Sequence, residues 1–333
     1  MKRIVCILLA FVLLFGMVAC RDAVVSDDGS SLNTGETENA SGTENTGDKD
    51  ASEKTEEEIG AAKQGVTVRV MSYNMQTGGA DSVAERAPKA LETIYAHDPD
   101  LLGAQEVNVY WLDTLETLGF FEIYGMIGEP RHGMDELTAS NEYSCIFYKK
   151  STFSLIDGDT CWLTETPNKI SKLPQSDYYR IMTYALFEHV ETGMQVLHVN
   201  THLEWNHSLH PTNTEQTEIL LSLTESVRAE CNYPGTLFTG DFNEPPVSEG
   251  HGLMIGWDYA DTREVAEKTT DLCTFYDGYR GEWTDLESEG TILDYCFVSV
   301  GDFVAERFDV DTSAEASDHF PVIAQLILLD KAS

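Results

Sequence analysis

Positive charge is scarce in this sequence: 21 Lys and Arg stand against 57 Asp and Glu, a formal net charge of −36 over 333 residues. Residues 1–64 hold 6 of the basic and 12 of the acidic side chains, so 15 and 45 remain beyond them, a net −30. Such a surface gains no counterion-release affinity for a polyanion as a whole, which weighs against long nucleic acid as the partner. Cysteine pairs are also lacking. Cys145, Cys161, Cys231, Cys273 and Cys296 follow Cys20, odd in number, widely spaced and without a C-x-x-C. They read as small core residues, not as a disulfide framework or a zinc site. No internal repeat is present, and beyond residue 19 there is no long hydrophobic run.

The one long run stands at the start. Met1-Lys2-Arg3 precedes an apolar stretch from Ile4 to Ala19. As a helix it would cover roughly 24 Å, short of a bilayer core, and with its basic flank it suits a signal peptide over residues 1–19. Met17-Val18-Ala19-Cys20 resembles a bacterial lipobox. That resemblance implies a lipidated Cys20 that anchors the mature chain outside the cytoplasm without spanning the membrane. Residues 20–64 have no aromatics, and their large aliphatics are Val24, Val25, Leu32 and Ile59. A segment so poor in apolar surface cannot offset its ordering entropy, and it is expected to be a tether. Residues 65–333 remain for one domain.

Strand and helix patterns alternate through that domain. Val66–Asn74 alternates as a strand, and a helix follows with Val83, Ala87, Ala90, Leu91, Ile94 and Tyr95 on one face. Leu101–Val107 reads as a second strand with Glu106 at its tip, followed by a helix over about Val109–Leu118 and a strand near Phe120–Ile127. Glu142–Tyr148 is expected to pair as a hairpin with Phe153–Ile156. Arg180–Phe187 and Met194–His202 form an antiparallel pair around a Glu191-Thr-Gly193 turn, and Thr214–Val227 is an amphipathic helix. Thr236–Thr239 up to Gly240, Thr291–Ser299 and Phe320–Leu329 are the remaining strands. The pattern predicts an α/β domain in which two sheets pack together with helices outside.

Chemistry concentrates at the strand ends. Asp241 and Asn243 follow the strand Thr236–Thr239 two positions apart, so they project together if the chain stays extended. An isolated D-x-N is usually a turn. Here, however, Asn74, Glu106, Glu142, His202, Asp294, Asp318 and His319 also cap apolar strands. Carboxylates, amides and imidazoles repeated at strand ends suit a site that holds a hard cation, a water or a phosphoryl oxygen.

In this set Ser72-Tyr73-Asn74, Gln105-Glu106-Val107, Asn200-Thr201-His202-Leu203, Gly240-Asp241-Phe242-Asn243, Ile292-Leu293-Asp294-Tyr295 and Ser317-Asp318-His319 occur in that order. Together they resemble the endonuclease/exonuclease/phosphatase (DNase I-like) superfamily of metal-dependent phosphoesterases, over about residues 66–329. Ile146-Phe-Tyr-Lys149 and Trp162–Pro167 look like its bacterial branch related to the deadenylases. In one respect the chain departs: many bacterial relatives carry an arginine shortly after Thr-His-Leu, where His210–Gln216 has none. Trp205, His207 and His210 crowd that loop, which reads equally as a substrate-pocket lining or as an aromatic packing loop.

The resemblance implies a four-layer α/β sandwich of two packed, mostly antiparallel sheets flanked by helices. It also implies that Glu106, with Asn74 nearby, holds a divalent cation, Mg²⁺ or Mn²⁺, and that Asp318 joins that site directly or through water. All-oxygen ligands support this independently, because zinc prefers more nitrogen and sulfur. Asp241 would orient or deprotonate the attacking water, and Asn243 would bind water or a phosphoryl oxygen. His319, oriented by Asp294, would act on the phosphate as an imidazolium. His202, oriented by Glu142, and Arg180 would contact other phosphoryl oxygens. The implied partner is a phosphoester, with a small molecule favoured over nucleic acid, and a monomer is expected. A secreted nuclease is the second reading. A catalytically silent surface-binding lipoprotein is the third, and it would require a broken motif where all six are intact.

Overall fold

A computed structural model describes residues 65–206, 210–270, 272–275 and 291–330. The expected signal peptide, the lipidated Cys20 and the tether lie outside the described residues, as do the side chains of His207 and His210. Among the described residues no helix is long and apolar enough to cross a membrane.

Two sheets form the centre. The first has the order β10 (Lys268–Thr269), β12 (Phe303–Val310), β13 (Val322–Leu329), β1 (Gly65–Asn74), β2 (Leu101–Val107), β4 (Tyr143–Lys149) and β3 (Tyr124–Ile127). The second runs β5 (Phe153–Trp162), β6 (Ile181–His189), β7 (Gln195–His202), β8 (Gly235–Asp241), β11 (Asp294–Ser299) and β9 (Tyr259–Asp261). Parallel neighbours need long crossovers: α1 (Ala80–His97) joins β1 to β2, and α4 (His210–Glu230) joins β7 to β8. Helices α2 (Val109–Thr117), α3 (Phe120–Ile123), α5 (Glu249–Gly256) and α6 (Thr262–Val265) complete the described elements.

The period of two along each strand builds the layers. In β1, Val68 and Val70 join the apolar cluster that includes Ile146, Leu237 and Cys296. Met71 and Tyr73 instead pack with Val83, Ala87 and Ile94 of α1. In β8, Leu237 lies in the first cluster, whereas Phe238 packs with Leu220, Val227 and Phe297. The result is helix, sheet, sheet, helix, and it matches the four-layer expectation.

Three local expectations are corrected. Phe120–Ile127 is not one strand: Phe120 opens the single turn α3, closed by the Tyr124 N–H on the Phe120 carbonyl, and its ring stacks on Tyr124 at 4.7 Å. Packing of two large rings one turn apart overrides the β-propensity of the segment. Phe153–Ile156 does not pair with β4; it opens β5, which pairs with β6 in the other sheet. Tyr95 is 40% exposed, off the buried face of α1. The short strands β9 and β10, the helices α5 and α6, and β12, whose alternation is interrupted between Ala305 and Arg307, lie outside the elements expected from the sequence.

A fully buried polar layer links the sheets. The Gln105 Nε2 donates to Asn200 Oδ1 (2.7 Å), and the Asn200 Nδ2 donates to the Ala104 and Cys145 carbonyls (3.0 and 2.8 Å). The sheets approach so closely that a Cβ on Gly103 would lie 1.8 Å from Thr239 Oγ1, so glycine is required there. His198, buried in this layer, contacts Thr239 Oγ1 at 2.8 Å, and burial pushes its pKa down to about 3. The folded state therefore binds fewer protons than the unfolded chain below 6.5, and stability falls on acidification. Between pH 6.5 and about pH 5 the loss from this one group is about 2 kcal/mol. His198→Gln is expected to remove that part of the acid dependence in denaturant melts, and equal pH slopes in both proteins would refute it.

Candidate active site

The inner-facing positions of adjacent strands place the functional side chains in one row. His202 pairs with Asp241 across β7 and β8, and Asp241 with Asp294 across β8 and β11. All three lie at one end of the central strands of the second sheet. Asn74 ends β1 on the face of Val68 and Val70, opposite them. Glu106 reaches the same place by a different route. Its backbone is left-handed (φ 58°) within a β2–β4 irregularity, where strict alternation would have turned the side chain toward the helices.

The Asn74 Nδ2 donates to Glu106 Oε1 (3.0 Å) and to Asp241 Oδ2 (2.9 Å), while its Oδ1 accepts the Gln76 N–H. Asn74 thus bridges two carboxylates through its amide nitrogen, and its oxygen keeps a second lone pair beside Glu106. The other oxygen of Glu106 accepts the Thr77 N–H at 2.8 Å. Buried Arg86 holds this stretch by donating to the Met75 and Gln76 carbonyls.

Asp241 is 1% exposed. Its Oδ1 accepts the Asn243 N–H (2.9 Å), and its Oδ2 lies 3.6 Å from the Nε2 of both His202 and His319. Burial pushes the Asp241 carboxyl up, against the pull of His319. His319 Nδ1 contacts Asp294 Oδ2 at 2.8 Å. Burial disfavours its imidazolium, but Asp294 and then Asp241 outweigh burial, and the pKa rises. His202 moves the other way, pushed well down by burial and by Arg180, Arg131 and His319, so it is neutral.

Asn243 corrects the extended-chain premise. Strand β8 ends at Asp241, and Asn243 is left-handed (φ 53°) with its Nδ2 on the Leu203 carbonyl (3.1 Å). Both side chains still line one cleft, of about 370 Å³, together with Glu106, Arg180, His202, Asp318 and His319. Glu142 does not orient His202. Its oxygens accept both terminal nitrogens of Arg131, at 2.7 and 3.2 Å, and burial pushes its carboxyl up to about 7. Trp205, 51% exposed, lines the cleft, which favours the pocket-lining reading of that loop over the packing one. Sequence reasoning missed Arg131, Tyr178, Thr77 and Phe275, all cleft-lining residues outside the periodic segments.

Around this cleft two groups of residues are candidates to hold a cation. Asp241, Asp294 and His319 bring ligand atoms within 4.8 Å of one another. An imidazolium held between carboxylates has no lone pair to offer, so this trio is better fitted to proton and phosphate handling. Glu106 and Asp318 form an all-oxygen alternative. Burial pushes the Asp318 carboxyl up, His319 opposes this, and the Glu106 charge adds to the rise. A hard divalent cation relieves that repulsion, so the residues fit one.

The model of the endonuclease/exonuclease/phosphatase family matches residues 71–319. A solved family protein from Bacteroides thetaiotaomicron is 26% identical, with a TM-score of 0.67 over 80% of this chain and 99% of its own. A mannosyl-6-phosphatase of the same species is 25% identical, with a TM-score of 0.69 over 78% of this chain and 100% of its own. The CCR4-Not complex 3′-5′-exoribonuclease subunit Ccr4 of Saccharomyces cerevisiae is 25% identical over 180 residues, 47% of this chain, which spans only 22% of that protein's length. With five of the six motifs lining one cleft of a four-layer fold, and Asn74 of the sixth bonded to Glu106 and Asp241 there, the chain belongs to the endonuclease/exonuclease/phosphatase family, whose members are phosphoesterase and nuclease hydrolases.

Proposed function

We propose that the chain is a divalent-metal-dependent phosphoesterase that hydrolyses a phosphate mono- or diester by water attack, outside the cell, on a domain anchored through lipidated Cys20. The observation that carries this reading is Arg180. It is 4% exposed, lines the cleft, and its guanidinium makes no hydrogen bond among the described residues. Its one ion pair is a loose 3.9 Å contact with Glu204. A desolvated cation with unfilled donors is stabilised by an incoming anion, and a phosphoryl group fits its planar fork.

Glu106 and Asp318 are the residues that would hold Mg²⁺ or Mn²⁺, which supplies Lewis-acid stabilisation of charge on a phosphoryl oxygen. Asp241 orients the attacking water and accepts its proton as the water oxygen bonds phosphorus and the ester P–O bond breaks, the leaving oxygen taking a proton from solvent in the open cleft and departing as the alcohol. His319, kept cationic by Asp294, donates to a phosphoryl oxygen. Arg180, neutral His202 and Asn243 hold the remaining oxygens. A cleft of about 370 Å³ and the acidic surface favour a small ester, as does the likeness to a protein named a mannosyl-6-phosphatase. The Ccr4 likeness favours the second reading, a nuclease acting on DNA or RNA.

The purified chain should turn over a phosphomonoester with Mg²⁺ or Mn²⁺, lose activity in EDTA, and act less well on a diester, DNA or RNA. No metal-dependent turnover of any of them overturns the proposal. Arg180→Gln is expected to raise KM roughly 10- to 100-fold with a smaller change in kcat, the cost of a charged hydrogen bond. An unchanged KM in steady-state kinetics would remove Arg180 from substrate binding.

A further inference from the structure

Two guanidiniums share one phenol ring at the cleft. The Cζ of Arg131 lies 4.9 Å and that of Arg180 lies 5.3 Å from the ring centroid of Tyr178, and all three residues line the cavity. The two cations differ in how well they are matched. Arg131 is clamped by both oxygens of Glu142 and by the Ser140 carbonyl (2.8 Å), so its charge is compensated. Arg180 is less well matched: Glu142 and Asp241 act on it from beyond ion-pair distance, and the carboxylate that comes within 4 Å, Glu204, is committed elsewhere. Glu204 Oε2 accepts from the Ser176 hydroxyl and from the Asp177 and Tyr178 N–H groups, and its Oε1 accepts the Trp205 N–H. Glu204 thus builds the turn that carries Tyr178 and leaves Arg180 only the loose contact.

Like charges beside one ring repel, and the ring's negative face offsets part of that repulsion. Tyr178 is 40% exposed, so its place is not explained by core packing. We propose that Tyr178 is a positioning residue for substrate binding: stacked on the fixed Arg131, it holds the unmatched guanidinium of Arg180 aimed at an anionic oxygen of the phosphate. The inference rests on the reading of Arg180 as a phosphate-binding group and extends it to the residue that sets its direction. The contacts thus run from Glu142 to Arg131, from Arg131 to Tyr178 and from Tyr178 to Arg180, and the anion would follow on Arg180.

The test uses the full chain with Mg²⁺ and phenylphosphonate, a phosphate analogue whose P–C bond resists hydrolysis, measured by calorimetry beside steady-state kinetics and thermal melts. Arg180→Gln should weaken phosphonate binding roughly 10- to 100-fold. Tyr178→Leu should weaken it roughly 5- to 30-fold, acting on KM rather than kcat, and Tyr178→Phe, which keeps the ring, should stay within about twofold. Because Tyr178 acts through Arg180, the double variant Tyr178→Leu/Arg180→Gln should bind no worse than Arg180→Gln alone. Additive losses, an unchanged Tyr178→Leu, or an equal loss in Tyr178→Phe each overturn the positioning role. Normal binding by Arg180→Gln overturns the phosphate-binding reading of Arg180, and this inference with it.

Discussion

Asp241→Asn is expected to lower kcat by about 10³-fold while the fold persists, the scale of a lost general base. The carboxylate is buried, and each oxygen already has an assigned partner: Asn74 Nδ2 on one, the Asn243 N–H on the other. Asparagine has nearly the same shape but carries an NH₂ in place of one oxygen. It must therefore present N–H donors to a neighbour that also donates, and it cannot take a proton from water. The change in stability should be modest, within about 2 kcal/mol, because removing a buried charge offsets part of the lost pairing with His319. Mg²⁺ affinity should change little, since the proposed cation ligands are Glu106 and Asp318. Single-turnover rates and a metal titration on the same variant check both statements, and a kcat within about tenfold of wild type would sink Asp241 as the water-handling group.

Asp294→Asn is expected to cost about 10²-fold at neutral pH and to displace the alkaline limb of the pH profile. The sign follows from the charges. Asp294 is the foremost group that raises the pKa of His319 against burial, with Asp241 adding to it. A step that needs the imidazolium stays active as pH rises past 6.5 and declines only when the raised value is passed. Without the Asp294 charge, burial is opposed mainly by Asp241, and the decline moves to lower pH. The acid limb belongs to Asp241, whose raised carboxyl protonates at a higher pH than an ordinary aspartate. The same linkage acts on folding: His319 stabilises the native state fully below 6.5, and that contribution is lost as pH rises through its raised value. An alkaline limb at the same pH in both proteins would show that Asp294 does not set the charge of His319.

Much of this site was legible because strands repeat every two residues. A polar residue at the inner position of an otherwise apolar strand stands out, as Asn74, His202, Asp241 and Asp294 do. Other positions carry no such signal. Arg131 and Tyr178 sit in irregular segments, and their meeting with Arg180 depends on where two loops land. The pairing of β5 with β6 was equally hidden, since Phe153–Ile156 has strand character with any partner and its neighbour is chosen by which face is buried.

The amino-acid sequence by itself determined the alternation of strands and helices, the acidic surface, and the types of group available at the strand ends. Those are local properties, set by side-chain period and chemistry within a few residues. Only the tertiary structure decided that Glu106 turns inward through a left-handed backbone, that Asn74 uses its amide to bridge Glu106 and Asp241, and that Glu142 serves Arg131 instead of His202. Each of these depends on neighbours brought together by long-range strand pairing and sheet packing. A one-dimensional pattern says which face a side chain takes, but not what stands opposite it.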